Sequence, residues 1–296
     1  MPQEIALNLF TLQAPLSAET LSNIRLTAES RGAEFDVRHM TFRYSEKFPY
    51  APGQSVGVLA EGTDPATGKP HKLRLYSVAS DSPGDDGDQQ TLSLCVVRHF
   101  RRDTPGQVQT PGVASNYLCD LEPGHKVNLT GPVGRNFVLP PDAVGRDLVL
   151  VATGTGIAPY RGMLKQLFAN GYKGQVWLFF GVKYGDTGFY NEEFESYRKH
   201  KNFHYHRAVS REEINPVPDE VPTRDDRMYV QVKMALQADD LKPVLTNPRS
   251  MIFICGLKGM EAGILPVLDK MGAEAGVEGS LVKKMKSEKR LKIEVY

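Results

Sequence analysis

The chain has 296 residues, 41% apolar and 24% charged, with a formal net charge of +1. That length corresponds to about two domains of ~150 residues, each able to bury its own core. The balance excludes a disordered chain and a general nucleic-acid binder, which would be globally basic, and no apolar run is long enough for membrane insertion.

Residues 1–10 carry neither a basic start nor a long apolar core, so no signal peptide is expected. Ser17-Ala18-Glu19-Thr20 reads as the start of a short helix, and residues 23–28 read as a strand. From 33 to 129 the texture is all β. Strands are expected over 35–44, 55–59, 73–79, 91–97 and 126–130, punctuated by Gly/Pro/Asp clusters at 49–53, 61–68 and 80–88. Many short strands with frequent turns predict an antiparallel barrel or sandwich. Residues 112–121 suit a short helix. Gly131-Pro132-Val133-Gly134 reads as a turn, and Pro140-Pro141 marks a linker.

Beyond the linker, strand-like runs at 148–152, 175–180, 203–209 and 251–255 alternate with helical runs at 160–169, 192–200, 230–237 and 259–271. That alternation predicts a doubly wound parallel sheet. Ligands of such sheets bind at the carboxyl ends of strands. Gly154 and Gly156 stand at one such end, and Gly181, Ser210 and Gly256 at three others. The domains expected are therefore 1–144, a β-barrel, and 145–296, an α/β domain. Residues 215–226, rich in Pro and acids, read as a surface loop. The three cysteines, Cys95, Cys119 and Cys255, have no metal-ligand or CxxC spacing and suit reduced thiols in a cytosol-like compartment.

Three stretches suggest chemistry. The apolar run 148–152, the loop Thr153-Gly154-Thr155-Gly156-Ile157-Ala158-Pro159 and the helix after it form a candidate anion site, since glycines and a helix start present N–H groups to a phosphate. A plain strand-to-helix turn fits the same residues. In Arg74-Leu75-Tyr76-Ser77, period-two geometry puts Arg74 and Tyr76 on one face. The guanidinium suits a pyrophosphate and the ring a flat heterocycle; a surface arginine beside a packed tyrosine fits equally. Gly112-Val113-Ala114-Ser115 opens a helix and offers a second phosphate contact, or is simply a helix start.

In this order the motifs 74–80, 112–121, 154–159, Cys255-Gly256-Leu257-Lys258-Gly259-Met260-Glu261 and the terminal Glu294-Val295-Tyr296 resemble plant-type ferredoxin–NADP reductase, in its plastid-like subgroup. The resemblance runs from about Phe35 to the last residue. It implies an N-terminal FAD-binding antiparallel β-barrel and a C-terminal NADP-binding α/β domain. By resemblance, Arg74 would bind the FAD phosphates, Tyr76 would stack on the flavin and Ser77 would lie near its N5. Cys95 and Val96 would line the adenosine side, and Val113, Ala114 and Ser115 the pyrophosphate. Thr155, Gly256 and Leu257 would contact the nicotinamide nucleotide. Ser210, Arg211, Arg227 and Tyr229 would hold the 2′-phosphate of NADP. Cys255 and Glu294 would stand at the hydride-transfer site, with Tyr296 covering the flavin as a movable lid.

The residues allow some of this to be weighed. A classical NAD site has an acid ~20 residues beyond the glycines. Residues 172–177 offer none, whereas Arg211 and Arg227 suit a dianion, so NADP(H) is favoured over NAD. The tail 291–296 alternates like a strand, which would pin Tyr296. Two basic clusters, His99-Phe100-Arg101-Arg102 and 283–292 with Lys286, Lys289 and Arg290, suit an acidic partner. The family's partner is ferredoxin, or flavodoxin in some bacteria. The chain departs from the family pattern at Val97 (usually Lys), Arg101 (usually Tyr), Tyr160 (usually Phe), in lacking a tryptophan near the tail, and in the insertion 215–226, which lengthens the loop between Arg211 and Arg227. Three readings follow: the reductase itself, a same-fold reductase feeding an oxygenase or another carrier, and a nucleotide-sensing module. The compartment expected is a bacterial cytoplasm, or a plastid stroma after removal of a transit peptide.

Overall fold

The computed structural model describes residues 6–101 and 110–296. The chain divides into two compact units. The first comprises Met1–Leu139 with Ala158–Ala169, and the second Pro140–Ile157 with Asn170–Tyr296.

The first unit contains β1 (Leu16–Arg25), β2 (Val37–Arg43), β3 (Ser55–Leu59), β4 (Arg74–Ser77), β5 (Thr91–Val97), the short pair β6 (Phe100–Arg101) and β7 (Thr110–Pro111), helix α1 (Val113–Cys119), β8 (Lys126–Val133) and helix α2 (Ala158–Ala169). Six strands form an antiparallel sheet in the order β4-β3-β8-β1-β2-β5. The Val78–Leu94 bridge and the bond from Ala79 N–H to the Ser93 carbonyl (2.7 Å) bring its edges together as a barrel. Leu16, Met40, Phe42, Val58, Leu94 and Leu129 fill the interior. Ser17-Ala18-Glu19-Thr20 lies in β1 and not in a helix. Leu16, Ala18 and Thr20 are buried, Ser17 and Glu19 are exposed, and residues 16–19 pair with 129–126. Period-two burial on a sheet overrides the local helix preference of Ala and Glu. The expected turn at 131–134 is likewise mostly strand: β8 continues to Val133, which pairs with Ser55, and Gly131 takes the irregularity at φ +117.

Helix α2 follows the glycine loop as expected, yet its packing places it in the first unit. A Cβ on Gly162 would stand 2.3 Å from the Ser80 carbonyl oxygen, so helix and chain approach as only glycine permits. Arg161 and Lys165 reach Asp85 at 2.8 and 2.7 Å.

The second unit contains β9 (Leu148–Thr153), β10 (Val176–Val182), α3 (Asn191–Ser196), β11 (Phe203–Val209), α4 (Val230–Ala235), α5 (Ala238–Thr246), β12 (Met251–Gly256), α6 (Met260–Glu274), α7 (Leu281–Ser287) and β13 (Leu291–Val295). The sheet is wholly parallel, in the order β11-β10-β9-β12-β13. Val149, Val151, Phe179, Ile252 and Ile254 are buried on one side of it, as expected of a sheet covered on both faces. The order reverses between β9 and β12, which is where such sheets bind ligands. Among the described residues no helix is long and apolar enough to cross a membrane, and no group of metal-ligating side chains gathers.

Candidate functional site

The glycine loop lies at the carboxyl end of β9, at that reversal. Gly154 turns the chain at φ +54, and residues 154–157 form one tight turn ahead of α2. Gly156 lies against the end of β12: a Cβ there would come within 2.3 Å of the Cys255 carbonyl oxygen. Gly256 answers it, at φ +145 with its would-be Cβ 2.3 Å from the Thr153 hydroxyl oxygen. That hydroxyl accepts the Leu257 N–H at 3.0 Å and donates to the Met260 sulfur at 3.3 Å. The ends of β9 and β12 are thus fixed at backbone distance, with the Thr155 hydroxyl beside them.

Parallel register sets Cys255 beside Glu294, and Gly256 beside Val295. Cys255 is fully buried. Burial, and then the neighbouring Glu294 carboxylate, push its thiol well above the usual range, so it stays protonated. Burial also raises Glu294. Neither group is set up as a nucleophile; both suit shaping and polarising a contact. Tyr296 is tied down, as the alternating tail predicts. Its N–H donates to the Gly256 carbonyl, its carbonyl accepts the Lys258 N–H, both at 3.0 Å, and its hydroxyl meets the Thr155 hydroxyl at 2.7 Å. The residue is 57% exposed. Thr155, Cys255, Gly256, Leu257, Glu294 and Tyr296 therefore share one end of the second unit's sheet.

Ser210 and Arg211 follow the carboxyl end of β11. The Ser210 hydroxyl donates to the Val182 carbonyl at 3.3 Å, and the exposed Arg211 has no acidic partner among the described residues. The loop 215–226 closes on itself: Ile214 bridges Arg227, and Asn215 N–H donates to the Asp226 carbonyl at 2.7 Å. Asn215 is buried, its side-chain amide donates to the Val221 carbonyl at 2.7 Å, and Val221 joins the core. The loop therefore returns the chain to its starting point, with Arg227 opposite Ile214 and Tyr229 immediately before α4. Arg227 pairs with Asp225 at 3.3 Å.

In the first unit, Arg74 and Tyr76 alternate with Leu75 and Ser77 along β4, a strand paired in the sheet with β3 alone. Arg74 is exposed, its guanidinium bonded to the Leu73 carbonyl at 3.1 Å and to no carboxylate among the described residues. The half-buried Tyr76 packs against the barrel core, and burial holds its phenol well above the usual range. An exposed cation without a counter-ion and a neutral ring beside it fit a phosphate-bearing flat cofactor. Cys95 and Val96 are buried in β5, Val96 within the barrel core. Gly112 begins α1; Val113 is exposed, Ala114 is buried, and the Ser115 hydroxyl accepts the His99 N–H at 3.2 Å.

Of the basic clusters, Arg102 lies outside the described residues. Arg290 is buried and bonded to Glu288 and Ser250, so it leaves the second cluster, whereas Lys283, Lys284, Lys286 and Lys289 are exposed. Reading the sequence missed the Thr153 hydroxyl, whose place at a strand end was its only signal, and the ion network on Asp85.

The family model described as the oxidoreductase NAD-binding domain matches residues 150–265, the stretch that carries the glycine loop at the sheet reversal, and places the chain among nicotinamide-nucleotide oxidoreductases. The chain is 38% identical to the chloroplastic ferredoxin–NADP reductase leaf isozyme 1 of Oryza sativa subsp. indica, over 99% of this chain and 80% of that one. It is 40% identical to the chloroplastic ferredoxin–NADP reductase of Mesembryanthemum crystallinum, over 100% and 80%. The solved ferredoxin–NADP+ reductase of Plasmodium falciparum matches with a TM-score of 0.76 and 26% identity, over 98% of this chain and 99% of that one. The chain belongs to the ferredoxin–NADP reductase family.

Proposed function

We propose that this protein is a flavoenzyme exchanging electrons between NADP(H) and ferredoxin or flavodoxin. Residues 1–144 would hold FAD and 145–296 NADP(H). The observation that carries the reading is the gathering of Thr155, Cys255, Glu294 and Tyr296 at the end of β9, β12 and β13, beside the glycine loop. Bound FAD supplies the redox chemistry, exchanging a hydride with nicotinamide and single electrons with the carrier.

The protein's own part is binding and alignment. Arg74 and the backbone around 112–115 would take the FAD phosphates, Tyr76 would lie along the flavin, and Ser77 would stand at its edge. Cys95 and Val96 would flank the adenosine. Loop residues 154–156 would meet the nucleotide phosphates, with Gly256 and Leu257 at the nicotinamide end. Ser210, Arg211, Arg227 and Tyr229 would hold the 2′-phosphate; a Plasmodium falciparum relative has been solved with 2′P-AMP. Cys255 and Glu294 would polarise the nicotinamide, and Tyr296 would yield its place as the ring enters. The exposed lysines of 283–289 suit an acidic carrier. Three buried free cysteines suit a reducing compartment, a plastid stroma or a bacterial cytoplasm.

The test is an absorption spectrum before and after anaerobic NADPH. Flavin bands that bleach with NADPH, and more slowly with NADH, support the reading; a colourless protein that binds NADPH refutes it. Turnover with ferredoxin, flavodoxin and an oxygenase then ranks the partners. Rates with an acidic carrier should fall as salt rises.

A further inference from the structure

The two arginines assigned to the 2′-phosphate are not equivalent. Arg211 is exposed and has no acidic partner among the described residues. The Arg227 guanidinium lies 3.3 Å from the Asp225 carboxylate, and Arg224 approaches the same oxygen at 3.7 Å. Asp225 belongs to the loop 215–226 between the two arginines. Its backbone is left-handed at φ +56, ψ 32, and Asp226 follows at φ +48. Non-glycine residues seldom adopt that region, although Asp tolerates it better than most.

The conformation is fixed by the loop's own closure. Asn215 holds the Asp226 carbonyl at 2.7 Å, and the Thr223 hydroxyl donates to the Arg227 carbonyl at 2.8 Å. The turn therefore holds a carboxylate against Arg227.

We infer that Asp225 is a resident counter-ion of Arg227, competing with the 2′-phosphate and so setting the degree of preference for NADP(H) over NAD(H). The inference rests on the assignment of Arg227 to the 2′-phosphate. An incoming dianion must displace the carboxylate, and the displaced carboxylate still repels it. The pair is partly exposed, 29% for Arg227 and 56% for Asp225. Exposed pairs are weak, so Asp225 adjusts affinity and does not switch it. Unopposed, Arg211 gives its attraction in full.

The experiment measures calorimetric dissociation constants of the holoprotein for 2′,5′-ADP and for 5′-ADP, which lacks the 2′-phosphate. Asp225→Asn keeps the side-chain shape and suits a left-handed residue; Asp225→Gly suits it further. Both should tighten 2′,5′-ADP about three- to fivefold, the range of an exposed ion pair, and leave 5′-ADP unchanged. Arg227→Ala should weaken 2′,5′-ADP about tenfold, as loss of a charge-assisted contact does. In that background Asp225→Asn should do nothing. If Arg227→Ala weakens 2′,5′-ADP and neither Asp225 variant tightens it, the counter-ion is overturned and the phosphate assignment stands. If Arg227→Ala has no effect, the assignment fails and the inference with it. Equal changes for both ligands would mark a general loop effect and overturn the inference.

Discussion

Two sets of ionisable groups, one in each unit, are handled in opposite ways. The first is a pair of carboxylates ringed by cations. Asp36, nearly fully buried, is approached by Arg38 and Arg98 at 3.0 Å and Arg25 at 3.6 Å. Asp85 gathers His39 at 3.1 Å, the Ser93 hydroxyl, Arg161 and Lys165. The second set loses charge: Cys255 is held protonated, Glu294 is pushed toward its neutral form, and His206 is held neutral. Around Cys255 the ends of β9 and β12 are fixed by backbone distance. The carboxylate set should therefore be sensitive to lost partners, that strand end to added atoms, and His206 to added protons.

The largest effect should come from an added atom. Ala at 156 would put its Cβ 2.3 Å from the Cys255 carbonyl oxygen and 2.6 Å from the Gly256 Cα, neither of which is a flexible tip. The loop must shift, and a displacement near 1 Å can cost ~100-fold in rate. We expect Gly156→Ala to lower kcat/KM for NADPH about 100-fold, with the flavin spectrum unchanged. Gly154→Ala should cost far less, since a Cβ there meets nothing within 4 Å and only the φ of +54 resists it. Equal losses in the two variants would remove close approach as the reason for Gly156.

A lost partner tests the first unit. Asp85→Asn leaves Arg161 and Lys165 without their shared carboxylate, and breaking such a buried set costs about 3 kcal/mol. Flavin release in urea should shift to lower midpoints, while fluorescence of Trp177, the sole tryptophan and a residue of the second unit, should hold its transition. Burial disfavours the ionised Asp85. The His39 hydrogen bond, the Arg161 charge, and the Lys165 and Ser93 hydrogen bonds outweigh it and hold the carboxyl well below the usual range. The folded state thus binds fewer protons, and the stabilisation is present above about pH 4 and lost as pH falls below it. Asp85→Asn should flatten that acid loss; an undiminished loss would mean that other carboxylates carry it.

The same contrast explains what could be read from the sequence. The second unit's sheet was legible because its strands are unbroken apolar runs, and its site because glycines at strand ends mark close approach. The barrel was legible from its turns and alternation. The Asp85 network was not: its loop carries the punctuation of any turn, and Arg161 and Lys165 lie 76 and 80 residues away in sequence. The membership of α2 in the first unit follows from those contacts and was equally hidden. Helices α5 and α7 escaped notice because one contains Pro243 and the other is seven residues long and lysine-rich. The counter-ion at Asp225 depends on a loop that closes only in three dimensions.

The smallest expected effect, an added proton, separates the units by pH alone. His206 stacks with Trp177 at 5.5 Å and Phe179 at 5.1 Å. Burial, then the positive charge of Arg198, repulsion from a protonated His204 and the charge of Lys233, lower its pKa to about 4. The unfolded chain takes up this proton below about pH 6.5 and the folded chain withholds it, so stability falls between pH 6.5 and about 4 and levels off below. Allowing for solvent screening of a ring that is not fully buried, the loss is about 1 kcal/mol. The Trp177 urea midpoint should thus drop between pH 7 and pH 5, and His206→Phe, which keeps a flat ring, should remove most of that drop. His204, also lowered by burial, would supply the remainder. Over the same interval flavin release should hold steady, because Asp85 stays ionised until the pH is lower still. A Trp177 midpoint that drops equally in His206→Phe would show that the second unit's acid sensitivity arises outside this stack.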